Sequence, residues 1–339
     1  MKKIAALAAT ILLGLSYGAA AADVSARGTT TAQFLQLGVG GRAVAMGEAY
    51  TAVASGASAL YWNPAGLSEV AAHDATFMHA DYYGLSTYDY GAYDHKLGEA
   101  GAVGLGVQYF TVKPLNETDE TGIELGSFQP YDLAVTAGYA RTSDGEWFPE
   151  LQDWSGGVSL KYIQSKILAS AKTEAVDLGI LSPGYLDGKL KLGLAILNIG
   201  GTMKFDEVAE SLPLDLNAGA AFRISEKWLA SADLGVPKND RVYAALGTEY
   251  WLVSAGRLRM AGRMGVNTRT LGSVDGLTGI SFGIGIEYDG LALDYGFVPT
   301  GSLGMAHRIS LSIKWGAPKS ETKSELEIEA TRRRIEFLQ

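Results

Sequence analysis

From about residue 72 onward the chain alternates large apolar side chains with small, polar or charged ones. In "TGISFGIGIEY", Ile280, Phe282, Ile284, Ile286 and Tyr288 share one parity, and Gly279, Ser281, Gly283, Gly285 and Glu287 take the other. A period of two puts them on opposite faces of a strand. "HRISLSIKW" repeats the pattern, with Ile309, Leu311, Ile313 and Trp315 opposite Arg308, Ser310, Ser312 and Lys314; so do "AVGLGVQYF", "YDLAVTAGY", "VSLKYIQ", "KLKLGLAI", "LPLDLNAGAAF" and "LALDYGF". About fourteen such segments lie between Ala72 and Gly316, most of them long enough for the roughly 9 to 11 residues of a tilted membrane strand.

The charges sort by the same parity. Asp132, Lys161, Asp177, Lys191, Asp215, Asp233, Glu249, Arg259, Arg263, Glu287, Asp294, Arg308 and Lys314 all fall opposite the large apolar side chains. A soluble sandwich with the greasy face as its core satisfies that much. Three further features predict a different all-β fold, a transmembrane antiparallel β-barrel of about 14 strands. Short connections (Ser225-Glu226, Asp289-Gly290, "PGYLD" from Pro183) alternate with longer polar ones ("KPLNETDETGIELG" from Lys113, "GGTMKFDEVAES" from Gly200, "TRTLGSVDG" from Thr268). Trp154, Trp228, Trp251 and Trp315 fall beside the connections that this parity makes periplasmic, and Trp147 lies in one, as an interfacial aromatic girdle requires. The strand number is even, with both ends on the periplasmic side.

Composition sharpens the class. Glycine is 43 of 339 residues, well above the average of about 7%, and it sits within the alternating segments rather than in linkers. The opening "MKKIAALAATILLGLSYGAAAAD" has Lys2 and Lys3, an apolar stretch from Ile4 and the small-residue site Ala20-Ala21-Ala22. It reads as a secretory signal peptide over residues 1–22, too short for a spanning helix. Its loss takes two lysines from a chain of formal charge −9, a balance that argues against nucleic acid as a partner. There are no cysteines, which excludes a disulfide framework in an exported chain.

A barrel of this size has more lumen than small inward side chains fill. Residues 23–71, ahead of the barrel at 72–316, are the material available to plug it. "RAVAMGEAYTAV" sets Met46, Ala49 with Tyr50, and Val53 at helical spacing, predicting a helix that Ser55-Gly56 ends. "NPAG" then predicts a turn: Asn63 first, Pro64 with its φ preset, Gly66 fourth. Small residues let such a segment thread into the lumen. Acids dominate the inward face from Asp81 to Asp233, while Arg257, Arg259, Arg263, Arg308 and Lys314 crowd the last four strands. Two readings stand. Opposed clusters with Arg42 between them lock the plug, against acids such as Asp132 and Asp177, or the charges merely hydrate a narrow interior. Both disfavour a straight greasy tunnel, so a hydrophobic ligand would leave sideways through the wall.

"LGVGGRAVAMGEAYTAVASGASALYWNPAGL" resembles the N-terminal signature of PorV/PorQ-type outer-membrane proteins, relatives of the FadL long-chain fatty acid transporters. The resemblance is specific over residues 34–67 and one of pattern only over the barrel. It implies a fourteen-stranded barrel closed by an N-terminal hatch, whose elements map onto Arg42-Ala43, Met46-Gly47-Glu48-Ala49 and Asn63-Pro64-Ala65, with Trp62 and Gly66 flanking the last. In FadL-type members the hatch rearranges to let a hydrophobic ligand through; PorV instead serves the type IX secretion system. The chain is shorter than FadL proper, which leaves open a groove built by long loops.

Other chemistry is weak. Gly38-Val-Gly40-Gly-Arg-Ala43 matches a dinucleotide fingerprint only on paper, because no buried strand precedes it and no βαβ unit follows. His73, His79, His95 and His307 include no pair at i,i+4 and have no cysteine to join them, so a zinc site is not expected. His307 points outward near the extracellular end without a partner serine, so no enzyme is expected. "NETDETG" lacks the EF-hand order of calcium ligands. At residues 317–339, Ser324 and Glu327 form a capping-box pattern ahead of Ile328, Thr331, Ile335 and Leu338; a periplasmic helix and a solvated tail both fit. The expectation is a monomeric barrel in the outer membrane of a diderm (Gram-negative) bacterium, needing no cofactor or metal and meeting membrane lipid. It either passes hydrophobic compounds under control of a hatch or serves a type IX-like secretion system by binding cargo or translocon proteins.

Overall fold

The alternating segments form a single wall. The computed structural model describes residues 28–146, 148–205, 207–271 and 275–316; the expected signal peptide, Trp147 and the 317–339 tail lie outside them. The strands are β1 (His73–Tyr82), β2 (Ser86–Lys96), β3 (Ala102–Val112), β4 (Leu115–Thr118), β5 (Glu124–Phe128), β6 (Tyr131–Thr142), β7 (Ser155–Lys166), β8 (Ser170–Leu181) and β9 (Leu190–Gly200). They continue as β10 (Thr202–Lys204), β11 (Ala209–Ser211), β12 (Asp215–Ser225), β13 (Trp228–Pro237), β14 (Tyr243–Ala255), β15 (Leu258–Asn267), β16 (Ile280–Tyr288), β17 (Leu291–Pro299) and β18 (Met305–Trp315). Fourteen of them close a barrel in the order β1-β18-β17-β16-β15-β14-β13-β12-β9-β8-β7-β6-β3-β2. Closure comes from antiparallel pairing of β1 with β18, from His73 opposite Trp315 to Tyr82 opposite Ala306. A closed barrel leaves no unpaired edge, which hydrocarbon demands.

Parity separates the two faces as the sequence requires. Leu105, Leu160, Leu246, Ile284 and Ile309 stand exposed on the outside, while Thr136, Lys161, Asp177, Asp233, Glu249 and Arg263 are buried within. This is an apolar band for lipid around a polar interior. The lower rim, where β1 begins and β18 ends, carries the two-residue turns 226–227, 256–257 and 289–290, and the upper rim the long connections 113–130, 201–214 and 268–279. The asymmetry is a tendency: 143–154 is long at the lower rim, and 83–85 and 167–169 are short at the upper. Two of the upper connections fold into small hairpins that alternation does not announce, β4–β5 and β10–β11.

The tryptophans divide. Trp228 and Trp315 face outward at the lower rim, where Trp315 stacks on His73 with ring centroids 5.1 Å apart. Trp251 does not join them. A register shift in the β14–β15 pairing at Trp251/Val253 accompanies its burial on the lumen side, with the Arg259 guanidinium 3.7 Å above its ring.

Candidate functional site

Residues 28–71 occupy the lumen and touch the wall around its circumference. The expected helix over 42–53 is instead one short helix, Gly41–Ala45, broken where Gly47 and Glu48 both take a φ of 67°. Space dictates the break: a Cβ on Gly47 would strike the β15 backbone at Val266. After further turns come the short helix Ala59–Trp62 and a 3₁₀ turn, Pro64–Glu69. Asn63 is extended, with Pro64 directly after it.

Wall glycines make room for this path. The Gly41–Ala45 helix packs on β15 to β18, residues 56–58 on β1 to β3, and Pro64–Glu69 on β6 to β8. A Cβ on Gly265 would land on the Gly47 amide, on Gly247 on the Met46 carbonyl, on Gly157 on Pro64 and Ala65, and on Gly179 on the Asn63 side chain. These glycines sit on the lumen face, where two backbones pass within contact.

Polar groups then fix the segment. Asn63 is fully buried; its amide donates to the carbonyls of Thr51 (2.9 Å) and of Ile180 on β8 (3.2 Å), and its Oδ1 accepts from Ala65 N. Trp62 Nε1 donates to Val39 O and Tyr61 Oη to Leu35 O, tying residues 35–39 to this knot. Gly66 lies so close to the Ala54 carbonyl that a Cβ would not fit. Met46 is buried in the core cluster. Asp233 Oδ2 accepts from Tyr50 N and Thr51 N. Asn267 donates to the Gly47 carbonyl and to Glu48 Oε2. Burial pushes the Glu48 carboxyl above its ordinary value, and the charges of Arg308 and Arg269 oppose this without cancelling it.

The expected opposed charge clusters are not what closes the lumen. Acid and base interleave and pair locally: Arg263 bridges Glu249 at 2.7 Å and Asp294 at 2.6 Å, Lys161 holds Asp177 at 2.8 Å, and Arg269 lies 3.5 Å from Asp215. Each ion pays a desolvation cost, and a partner within direct reach across the lumen face offsets it. Arg42 does pair with the wall, but with Glu249 on β14 rather than with Asp132 or Asp177. Arg259 is half-exposed toward the lower rim, bridged to Glu287. Asp81 faces outward, and Arg257 lies in the 256–257 turn, paired with exposed Asp289 in the 289–290 turn. Parity puts Glu249 and Asp294 on the inward face but does not say which charges meet, and Arg263 on β15 reaches past β16 to Asp294 on β17.

Two cavities lie on the upper side of the segment. One, of about 410 Å³, is lined by Phe34, Leu37, Phe110, Val112, Ile167 and Phe205, with Asp132 at its wall. The other, of about 180 Å³, shares Leu37 and adds Val44, Ile280 and Val298. Arg308 lines it too, buried; its Nη2 donates to Tyr82 Oη, while Nε and Nη1 have no hydrogen-bond partner among the described residues. Alternation alone could not show the first cavity, because Phe34 and Leu37 come from the segment and Phe205 from a connection.

No family model and no curated protein matches the sequence. Solved structures do match. The Pseudomonas putida toluene transporter TodX superposes with a TM-score of 0.53 at 14% sequence identity, over 81% of this chain and 97% of that one. The CymD monoaromatic hydrocarbon channel gives 0.52 at 13%, over 82% and 98%. The likeness is one of fold. It agrees with the closed fourteen-stranded wall and leaves activity to be argued from the site.

Proposed function

We propose that this protein is a non-catalytic outer-membrane barrel of the PorV/PorQ–FadL type, which binds hydrophobic compounds at its upper, outward-facing mouth and passes them when the N-terminal segment moves. The 410 Å³ apolar cavity carries this reading. It is within the size range of small-molecule sites, and its floor is residues 31–37 of the segment that fills the lumen, so whatever binds there touches the element that must yield. TodX and CymD, described as a toluene transporter and a hydrocarbon channel, support it by fold. Below the cavity the path is crossed by buried ion pairs, which favours sideways exit over an axial tunnel.

The test is uptake of a labelled hydrophobic compound by cells carrying the protein, an empty vector, or Phe110→Arg. A charge in the cavity should abolish the gain over the empty vector while the variant still assembles and shifts on gels before and after boiling. Equal uptake in all three would remove the transport reading and leave the secretion component as the alternative.

A further inference from the structure

The long connection at the lower rim, 143–154, covers a groove on the outside of the wall. It turns through a 3₁₀ helix at Pro149–Leu151 and closes on itself where Ser143 N donates to Trp154 O at 2.7 Å. Just above it, Arg141 on β6 stands opposite Gly156 on β7, and Gly156 opposite Ile180 on β8. Gly156 leaves the middle of that outward rung open, since a Cβ there would meet nothing within 4 Å. The result is a cavity of about 570 Å³, whose apolar lining is Tyr139, Phe148, Leu151, Trp154 and Ile180. Tyr139 is held in place as one side of it by its hydroxyl, which donates to Ala100 O at 2.6 Å. On the next rung upward Tyr139, Val158 and Leu178 are exposed to the outside, so the groove runs on into the lipid-facing band. Its other end is charged. Arg141, Asp144 and Glu146 line the same cavity. Arg141 Nη2 donates to Asp144 Oδ2 at 3.0 Å, which leaves further guanidinium donors, while Asp144 Oδ1 accepts from Glu146 N. The exposed Glu146 carboxylate pairs with no cation among the described residues.

We propose that this groove holds one phospholipid of the inner leaflet, with a headgroup that carries both a phosphate and a primary ammonium. A groove on the outward face at the lower rim of a membrane barrel opens onto that leaflet, so lipid is what covers it. The remaining donors of Arg141 take the phosphate, and the ammonium lies against Glu146. An acyl chain fills the trough at Gly156 between Tyr139 and Ile180, with Trp154 at headgroup level. Charge sets the choice of headgroup. Two acids against one base repel a lipid of net negative charge, and a quaternary ammonium has no N–H to give Glu146, whereas a primary one has three. The long connection, an exception among the short lower-rim turns, thereby acquires a role that is independent of what crosses the lumen.

The full-length protein is placed in nanodiscs holding equal amounts of phosphatidylethanolamine, phosphatidylcholine and phosphatidylglycerol with the same chains, then moved to detergent, and the lipid retained per protein is counted by native mass spectrometry. One phosphatidylethanolamine should remain, favoured about five-fold or more over either of the others. Arg141→Glu should abolish retention, and Glu146→Lys should turn the preference toward phosphatidylglycerol. Lys172→Glu, on an exposed residue in the upper half of β8, should change neither. Gel shifts on boiling verify that each variant is an assembled barrel. No retained lipid, equal retention of the three headgroups, a preference for choline or glycerol in the parent, or indifference to Arg141→Glu and Glu146→Lys would each overturn the proposal.

Discussion

Arg42 and Glu249 meet through two parallel hydrogen bonds, Nε to Oε2 and Nη2 to Oε1, both 2.8 Å long. One residue rides on the lumen segment and the other on the wall, so this charge-assisted, two-bond pair ties the segment to the wall. Glu249 also holds Arg263, and losing Arg42 would not orphan the carboxylate. Arg42→Ala should therefore weaken seating of the segment by about 1.5 to 3 kcal/mol, and Arg42→Glu by more, because it sets two carboxylates together. In planar bilayers these variants should show intermittent openings, about tenfold more frequent for each 1.4 kcal/mol. Recordings indistinguishable from the parent would mean the segment is held without this pair.

Removing residues 29–66 should leave an assembled barrel that conducts ions steadily, while the intact protein stays nearly silent. Wall strands bond to one another through β1–β18 closure and need nothing from the segment. A silent deletion variant with the usual shift on boiling would show that wall side chains or connections close the lumen by themselves.

The two faces of β16 give a sharper contrast. Ile284 is 56% exposed to the outside, and Ile284→Arg should cost about 2 to 4 kcal/mol at mid-membrane. At the neighbouring Gly283 even a Cβ would collide with Ala45 of the segment and with the Tyr295 carbonyl of β17. Barrels of Gly283→Arg that assemble should conduct, because the side chain crowds the lumen and displaces the segment, whereas assembled Ile284→Arg barrels should stay as quiet as the parent. Equal conductance from both substitutions would contradict the assigned faces.

The wall was legible because it is written locally. Ile280 to Tyr288 alternate every second residue whatever their neighbours do, and both the strands and their inward charges follow from that. Asn63-Pro64 was legible for the same reason, since Pro64 restricts the residue before it. What failed were particulars set by proximity. Helical spacing from Met46 to Val53 gave way because β15 passes too near Gly47, Trp251 turned inward at a register shift, and Arg42 took Glu249, more than two hundred residues away in sequence. The cavity over Phe34 is of this kind too, assembled from five separate stretches of chain.

Glu48 offers a readout that does not disturb packing. Its carboxyl is raised chiefly by burial, so the seated segment prefers the protonated acid. A group with a raised value contributes its stabilisation in full below the ordinary carboxylate range and loses it as pH climbs through the raised value. Openings in bilayers should therefore become more frequent as pH rises from about 4 toward neutrality, and not the reverse. Glu48→Gln keeps the side chain's shape and an oxygen for the Asn267 amide, which bonds Glu48 Oε2 at 3.3 Å, but carries no charge at any pH. It should flatten that part of the profile and remain as quiet at neutral pH as the parent is in acid. If parent and variant trace the same curve, or if the parent opens more in acid, Glu48 does not govern the seating of the segment.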